Sequence, residues 1–250
     1  MLELTSLSGG YKADADVLQN ISLSVNKGEL VTIIGNNGSG KSTLLRLILG
    51  IIRKTKGEVI LDGRPLGELS RRDRAQRIAY LSQGRDTPDM TVQELVLHGR
   101  FPYVGIMSAY SREDRRIADD ALEKMALREY AHTPLCELSG GMRQRAYIAM
   151  ALCQEADYVL LDEPTSHLDV VHRLELMNVL KTLKENGRGI LMVIHDLPLA
   201  FEYSDRIAVM CDGQLTAIDS PRALCDTAAL KNAIGVNVSF DGTRYYCTMN

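Results

Sequence analysis

The strongest constraint on the fold is a glycine-rich loop that ends in lysine and hydroxyl residues, GNNGSGKST, from Gly35 to Thr43. A short apolar run, LVTII, precedes the loop, and an apolar helical pattern, LLRLILG, follows it. In this order of strand, loop and helix, backbone N–H groups and the positive end of the helix surround a phosphate. The pattern predicts a P-loop, in which Lys41 supplies charge to the β- and γ-phosphates and Ser42 supplies a hydroxyl for Mg²⁺.

A pair of carboxylates downstream completes the predicted chemistry. The apolar segment YVLLDEP ends in Asp162 and Glu163. We expect Asp162, at the strand's end, to face the Mg²⁺ held by Ser42, and Glu163 to polarise the water that attacks the γ-phosphate. The sequence therefore predicts binding and hydrolysis of ATP with Mg²⁺. The predicted nucleotide contacts of the loop are Asn36, Asn37, Gly38, Ser39, Gly40, Lys41, Ser42 and Thr43.

Short apolar strands alternate with helical patterns along the chain, which favours an α/β fold with a parallel sheet flanked by helices. The middle of the chain shows only helical patterns, and its end predicts a hairpin about Asp241-Gly242. We therefore divide the chain into a core of residues 1–83 and 158–235, a helical subdomain of residues 84–157, and a C-terminal hairpin tail of residues 236–250.

Composition argues against several classes of protein. The net charge of −3 and the pI near 6.0 give no sign of the basic surface that nucleic-acid binding needs. No apolar run approaches the roughly 18 residues of a membrane span, and the N-terminus lacks a signal-peptide pattern. The five cysteines contain no C-x-x-C pair, so we interpret them as reduced packing residues rather than metal ligands. These features predict a soluble cytoplasmic protein.

A second glycine loop, LSGG from Leu138 to Gly141, has no lysine and lies about twenty residues before Asp162. This arrangement resembles the nucleotide-binding subunit of an ATP-binding cassette (ABC) transporter. The family's other motifs occur in the expected order along the chain: Tyr11, Gln83 in YLSQ, Ser166-His167-Leu168-Asp169, and His195 in VIHD. The resemblance implies a P-loop NTPase with a RecA-like core, a mostly parallel sheet, an N-terminal antiparallel β subdomain and an inserted α-helical subdomain.

The resemblance also implies a role for each motif. Tyr11 stacks on adenine, and Gln83 binds Mg²⁺ and transmits closure of the helical subdomain to a partner. His195 holds the γ-phosphate and the attacking water in line with Glu163. Catalysis is thereby assigned to Glu163, His195 and Gln83, and the metal ion to Ser42, Gln83 and Asp162.

The lysine-free loop is explained by a second copy of the chain. In the family, two subunits pack head to tail, and the signature loop of one contacts the γ-phosphate held by the other's P-loop. The resemblance therefore implies that Ser139, Gly140 and Gly141 bind the nucleotide of the partner copy. Met142 departs from the family, which usually has glutamine or glutamate there, so this chain lacks the polar side chain that relatives have at that position.

The segment HGRFPYVG, His98 to Gly105, indicates the class of transporter. Its Gly-Arg-x-Pro resembles importer ATPases for iron-siderophore complexes, haem and cobalamin, although those often have histidine where this chain has Tyr103. The resemblance implies polytopic membrane permease subunits as partners, a substrate-binding protein as an indirect partner, and a peripheral position on the cytoplasmic face of the inner membrane.

Other functions stay open at this stage. An importer for another substrate and an exporter carry the same ATPase motifs. A soluble ABC ATPase acting on nucleic acid or ribosomes usually has a long coiled-coil insertion or two cassettes, and the sequence shows neither. A P-loop kinase would leave LSGG and residues 166–169 unexplained.

Overall fold

The computed structural model describes residues 1–12, 15–82, 84, 87–105, 108–225 and 227–249. The strands are β1 (Leu2–Gly10), β2 (Leu18–Val25), β3 (Leu30–Gly35), β4 (Arg53–Leu61), β5 (Arg64–Pro65), β6 (Ile78–Leu81), β7 (Tyr158–Asp162), β8 (Gly189–Val193), β9 (Arg206–Cys211), β10 (Gln214–Asp219), β11 (Val236–Phe240) and β12 (Tyr245–Met249). The α-helices are α1 (Lys41–Ile48), α2 (Arg71–Arg77), α3 (Val92–Leu97), α4 (Arg112–Lys124), α5 (Gly140–Cys153), α6 (Val170–Glu185), α7 (Leu197–Tyr203), α8 (Pro221–Leu224) and α9 (Ala228–Ile234). Short 3-10 helices span Leu66–Glu68, His98–Tyr103, Arg128–Tyr130 and Leu135–Glu137.

The central sheet has six strands in the order β10-β9-β3-β8-β7-β6. Neighbouring strands from β9 through β6 all pair in parallel, and β10 pairs with β9 in the antiparallel direction. A second sheet, β2-β1-β4-β5, is antiparallel, and β11 and β12 form a separate antiparallel hairpin. The predicted α/β fold with a mostly parallel sheet and an N-terminal antiparallel subdomain is confirmed.

The apolar runs of the central strands are explained by cores on both faces of the sheet. In β3, Val31 and Ile33 face a core shared with α1 and the antiparallel sheet. Leu30 and Ile34 face the opposite core, which includes residues of α6, α7 and α9. Because neither face meets water, the strand reads as a continuous apolar run instead of an alternating one.

The described residues between β6 and β7 are mainly helical, in agreement with the sequence pattern. Helices α3, α4 and α5 contribute buried side chains to one core. Capping boxes start two of them, Thr91 with Glu94 in α3 and Ser111 with Asp114 in α4. Such reciprocal hydrogen bonds satisfy N–H groups that have no partner inside the helix. The exact subdomain boundaries stay a prediction.

Arg100 ties this helical region together from inside. Its Nε donates to Asp114 Oδ1 at 2.9 Å, and its Nη1 donates to the Cys153 carbonyl at 3.0 Å and to Glu155 Oε2 at 2.9 Å. The guanidinium lies 4.1 Å from the centre of the Tyr103 ring. One buried cation therefore links the 3-10 helix at His98–Tyr103 to the start of α4 and the end of α5.

The interpretation of the cysteines as packing residues is correct only in part. Cys153 and Cys225 are buried, but Cys136 and Cys247 are exposed. The small side chain of cysteine fits both buried and exposed positions, so composition alone does not tell the two apart.

Replacing Arg100 with methionine should lower the free energy of unfolding by about 3 kcal/mol, because the buried Asp114 carboxylate would lose its charged partner. Urea denaturation followed by circular dichroism measures the change. The matched control is Arg116→Met, since Arg116 is 61% exposed and its ion pairs lie in solvent. We expect that control to stay within about 0.5 kcal/mol of the wild type. Equal effects of the two substitutions would contradict the role assigned to Arg100.

Candidate functional site

The glycine-rich loop lies between the end of β3 and the start of α1 at Lys41. Gly40 precedes the helix with φ of 99°, and a Cβ there would lie 2.6 Å from Leu18 Cδ2. Any other residue would therefore be strained and would meet a neighbour. The Gly213 N–H donates to the Ser39 carbonyl at 3.1 Å. The loop is thus fixed by the turn between β9 and β10 as well as by its own helix.

A cavity of about 350 Å³ opens over this loop. Its lining residues are Val17, Asn37, Gly38, Gly40, Lys41, Ser42, Thr43 and Glu163. Among these described residues, only Val17 lies outside the predicted motifs. Val17 directly precedes β2 and belongs to no motif. Its place in the cavity lining therefore depends on how β2 packs beside the P-loop, which the sequence does not show.

Lys41 is folded back onto its own loop. Its Nζ donates to the carbonyls of Gly35 and Asn36, each at 2.8 Å, and the residue is only 5% exposed. Burial lowers the pKa of the Lys41 ammonium, while the nearby charges of Glu163 and Asp162 oppose that shift. A phosphate would offer this cation a charged acceptor in place of two neutral carbonyls, which strengthens the hydrogen bonds.

The first turn of α1 meets the end of β7. Ser42 Oγ donates to Asp162 Oδ1 at 2.9 Å, and Asp162 is completely buried. The hydroxyl follows the P-loop, whereas the carboxylate lies 120 residues later along the chain. The fold therefore brings together Ser42 and Asp162, two of the three residues predicted to bind a metal ion.

Glu163 and His195 lie at the ends of adjacent parallel strands. His195 Nε2 is 2.8 Å from Glu163 Oε1. Glu163 has φ of 51°, and its N–H donates to the Val193 carbonyl of β8 at 3.0 Å. Ser166 Oγ donates to the Glu163 carbonyl at 2.8 Å. These bonds hold the carboxylate at the edge of the P-loop cavity, beside the imidazole.

Tyr11 lies beside the first turns of α1. Its side chain is 56% exposed, its hydroxyl accepts a hydrogen bond from Arg46 Nη1 at 2.9 Å, and it lies 3.5 Å from Thr43 Oγ1. Hydrogen bonds to Tyr80 and Tyr11 raise the pKa of Arg46. Arg46 is not predicted from the sequence, because it is only the single basic residue in the apolar helical pattern LLRLILG.

The second glycine loop begins α5. Ser139 caps the helix, and its Oγ accepts a hydrogen bond from the Met142 N–H at 3.3 Å. Gly140 and Gly141 form the first turn, and a Cβ on Gly141 would lie 3.2 Å from the His167 carbonyl oxygen. The backbone of this helix start is therefore packed closely against the predicted residues 166–169.

The two glycine loops face different cavities of the chain. A cavity of about 260 Å³ is lined by Gly84, Thr87, Gly140, Arg143, Gln144, Tyr147, Glu163, Ser166 and His167. The described lining of the P-loop cavity includes no residue of the range 138–141. Glu163 borders both cavities. Within one chain, the structure does not bring Ser139 and its neighbours to the P-loop.

The Asn36 side chain donates to the Ala233 carbonyl at 2.8 Å, so its amide is held by α9. Gln83, predicted to act in catalysis and metal binding, lies outside the described residues.

Comparison with known proteins places these features in a family. A model of the ABC transporter family matches residues 18–166. The iron(3+)-hydroxamate import ATP-binding protein FhuC of Bacillus subtilis (strain 168) is 44% identical over 214 residues, which cover 85% of this chain and 79% of FhuC. The petrobactin import ATP-binding protein FpuC of Bacillus anthracis is 41% identical over 229 residues, covering 90% of this chain and 84% of FpuC.

The fold is shared with solved structures of the same family. The dimeric ATP-binding cassette MJ0796, in a post-hydrolysis state bound to ADP and phosphate, superposes with a TM-score of 0.79 at 31% identity. The superposition covers 89% of this chain and 99% of that one.

Proposed function

Because this chain belongs to the ABC transporter family and is an ATP hydrolase of that family, we propose that it powers import of an iron chelate through separate membrane subunits. The ATPase mechanism is carried by one observation, the meeting of Glu163 and His195 at the edge of the P-loop cavity. The choice of an iron chelate is supported by the names of the relatives, which include import proteins for ferric hydroxamate and petrobactin.

Mg²⁺ suits the oxygens that meet at the start of α1. Magnesium prefers oxygen ligands in octahedral geometry at about 2.0–2.1 Å, so neighbouring ligands lie about 2.9 Å apart. Ser42 Oγ and Asp162 Oδ1 are separated by 2.9 Å. In this proposal the two residues hold the ion, with Gln83 as a further ligand, and the ion would offset the negative charge of the β- and γ-phosphates.

Hydrolysis in this proposal is divided between three side chains. Lys41 leaves the carbonyls of its own loop and binds the phosphate oxygens. Glu163 accepts a proton from the attacking water, a role that requires a carboxylate within hydrogen-bond reach of that water. His195, already 2.8 Å from Glu163, orients the water and the γ-phosphate. Tyr11, with its exposed ring beside Thr43, stacks on the adenine.

A second copy of the chain completes the site. Ser139, Gly140 and Gly141 lie at a helix N-terminus, where N–H groups and the helix dipole favour an anion, but they are not among the described residues that line their own P-loop cavity. In a head-to-tail dimer these residues bind the γ-phosphate held by the partner. The γ-phosphate then links two subunits, and its hydrolysis removes the link.

Replacing Glu163 with glutamine should lower the ATPase rate by about 10²–10⁴-fold, because the amide cannot accept the proton from water. ATP binding should persist, so the variant should elute as a dimer on gel filtration when Mg-ATP is present. The matched control is Glu185→Gln at the exposed end of α6, which should hydrolyse ATP at the wild-type rate. Normal hydrolysis by Glu163→Gln would remove Glu163 from the mechanism.

Adding Ser139→Arg to the Glu163→Gln chain separates two steps. One is ATP binding by a subunit's own P-loop, and the other is dimerisation through the partner's signature loop. The double variant should still bind ATP through its own P-loop, but it should elute as a monomer because the bulky cation blocks the partner's phosphate. A double variant that dimerises as readily as Glu163→Gln would contradict the head-to-tail model.

Docking on membrane subunits is supported by two neighbouring cavities beside α2, which we refer to together as the groove. The cavities measure about 500 and 560 Å³ and share Arg71 and Ala75 in their linings. Ile51, 61% exposed, lines the first, and Phe101, 72% exposed, lines the second. In the described part of the chain, no helix is long and apolar enough to cross a membrane.

The proposed occupant of this groove is a cytoplasmic helix of a polytopic permease subunit. Its apolar face would pack against Phe101, and an acidic residue on it would pair with Arg71. Arg72 holds the groove's edge in place, because its guanidinium donates to the carbonyls of Pro102 and Tyr103 at 2.9 and 3.0 Å. Docking would place the chain peripherally on the cytoplasmic face of the inner membrane. The substrate-binding protein would then act only through the permease, and nucleic acid would not be a partner.

Phe101→Asp should abolish co-purification of the permease from detergent-solubilised membranes, because the charge would replace an apolar side chain that lines the groove. Tyr130→Asp is the matched control, since Tyr130 is also exposed but lies outside both cavities. Co-purification is read by mass spectrometry of the captured proteins. Capture of nucleic acid or ribosomes in place of a polytopic protein would favour a soluble ABC ATPase.

Cells that lack the gene for this chain should take up radiolabelled ferric hydroxamate at a rate close to background. The wild-type chain should restore uptake, whereas Glu163→Gln should not, since transport requires hydrolysis. The ATPase-competent Glu185→Gln chain should restore it and so controls for expression. Unchanged uptake of ferric hydroxamate and petrobactin in the deleted cells would exclude these iron chelates as the transported substrates.

A further inference from the structure

We propose that Asn36 is a positioning residue through which the C-terminal segment, residues 227–249, holds the P-loop in its nucleotide-binding conformation. Asn36 Nδ2 donates to the Ala233 carbonyl at 2.8 Å, across 197 residues of chain. Ala233 lies in the last turn of α9, where backbone carbonyls have no partner inside the helix. The P-loop side chain therefore caps the C-terminus of α9, and the proposal rests on the P-loop assignment given above.

The acceptor is itself held firmly. Leu230 and Ala233 are 0% and 2% exposed and belong to the core on one face of the central sheet. Gly235 ends α9 in the left-handed conformation, with φ of 72°, and its N–H donates to the Lys231 carbonyl at 3.0 Å. Because α9 cannot turn without exposing Leu230 and Ala233, the Ala233 carbonyl is a fixed point for Asn36.

The same C-terminal segment also reaches the other side of the site. The Tyr245 ring of β12 lies 5.2 Å from the Phe201 ring of α7, and 4.7 Å from the Phe240 ring of β11. Helix α7 begins directly after Asp196, the neighbour of His195. The segment thus contacts the P-loop through α9 and the helix behind His195 through β12.

The Asn36 bond should act on nucleotide binding rather than on the chemical step. With its amide held by α9, the loop keeps its backbone N–H groups arranged for a phosphate before ATP arrives, so less ordering is needed on binding. Proton transfer by Glu163 does not involve this bond. Since coupling between two sites is reciprocal, ATP bound at the P-loop should in turn stabilise α9.

The first test is the affinity of the full-length chain for Mg-ATP and the kinetics of hydrolysis. Asn36→Ala should bind Mg-ATP about threefold to tenfold more weakly, the factor expected for one hydrogen bond, and should raise KM by the same factor. Its kcat should stay within about twofold of the wild type. Asn36→Gln keeps an amide donor and should recover part of the affinity. The matched control, Asn232→Ala, changes the exposed neighbour of Ala233 and should leave affinity unchanged.

The second test is hydrogen exchange of the α9 amides with and without a slowly hydrolysed ATP analogue. In the wild type the analogue should slow exchange in the last turn of α9, and in Asn36→Ala this slowing should disappear. Unchanged affinity in Asn36→Ala, or an α9 that does not respond to nucleotide in the wild type, would overturn the inference. A wild-type chain that fails to bind nucleotide would instead overturn the P-loop assignment on which it rests.

Discussion

The hydrogen bond between Ser42 and Asp162 is the contact on which the arrangement of the site depends. It joins the first turn of α1 to the buried end of β7, two segments that lie 120 residues apart. Parallel strands align their carboxyl ends at one edge of the sheet, so the P-loop after β3, Asp162 at the end of β7 and His195 after β8 meet there. Without this parallel order, no local sequence could bring these groups within hydrogen-bond distance.

The charges at this edge partly offset one another before a nucleotide arrives. Burial disfavours the charged form of Lys41, and the neighbouring carboxylates of Asp162 and Glu163 compensate in part. A bound phosphate adds negative charge next to these two carboxylates. In the proposed function, a divalent cation bound with ATP would offset the repulsion between these carboxylates and the phosphate.

The sequence predicted the parts of the site whose chemistry is contained in short motifs. The fold class, the family and the ATPase activity are confirmed. They could be predicted because a strand, a glycine loop and a helix follow one another within residues 30–48. It did not predict the contacts between distant segments. Arg46 beside Tyr11, Arg100 between two helices, and Asn36 against Ala233 depend on tertiary packing. The individual site residues, including Gln83, stay predictions.

One contact within the chain links the second glycine loop, at the start of α5, to the segment that carries Glu163. Gln144 of α5 donates to the Pro164 carbonyl at 2.9 Å, directly after Glu163. Helix α5, which Ser139 caps, is thereby joined to the segment that carries Glu163, the proposed general base. In the proposed head-to-tail dimer, a movement of α5 on binding the partner's γ-phosphate would act on Pro164 and hence on Glu163. Closure of one proposed site would then reach the other through the hydrogen bond between Gln144 and Pro164.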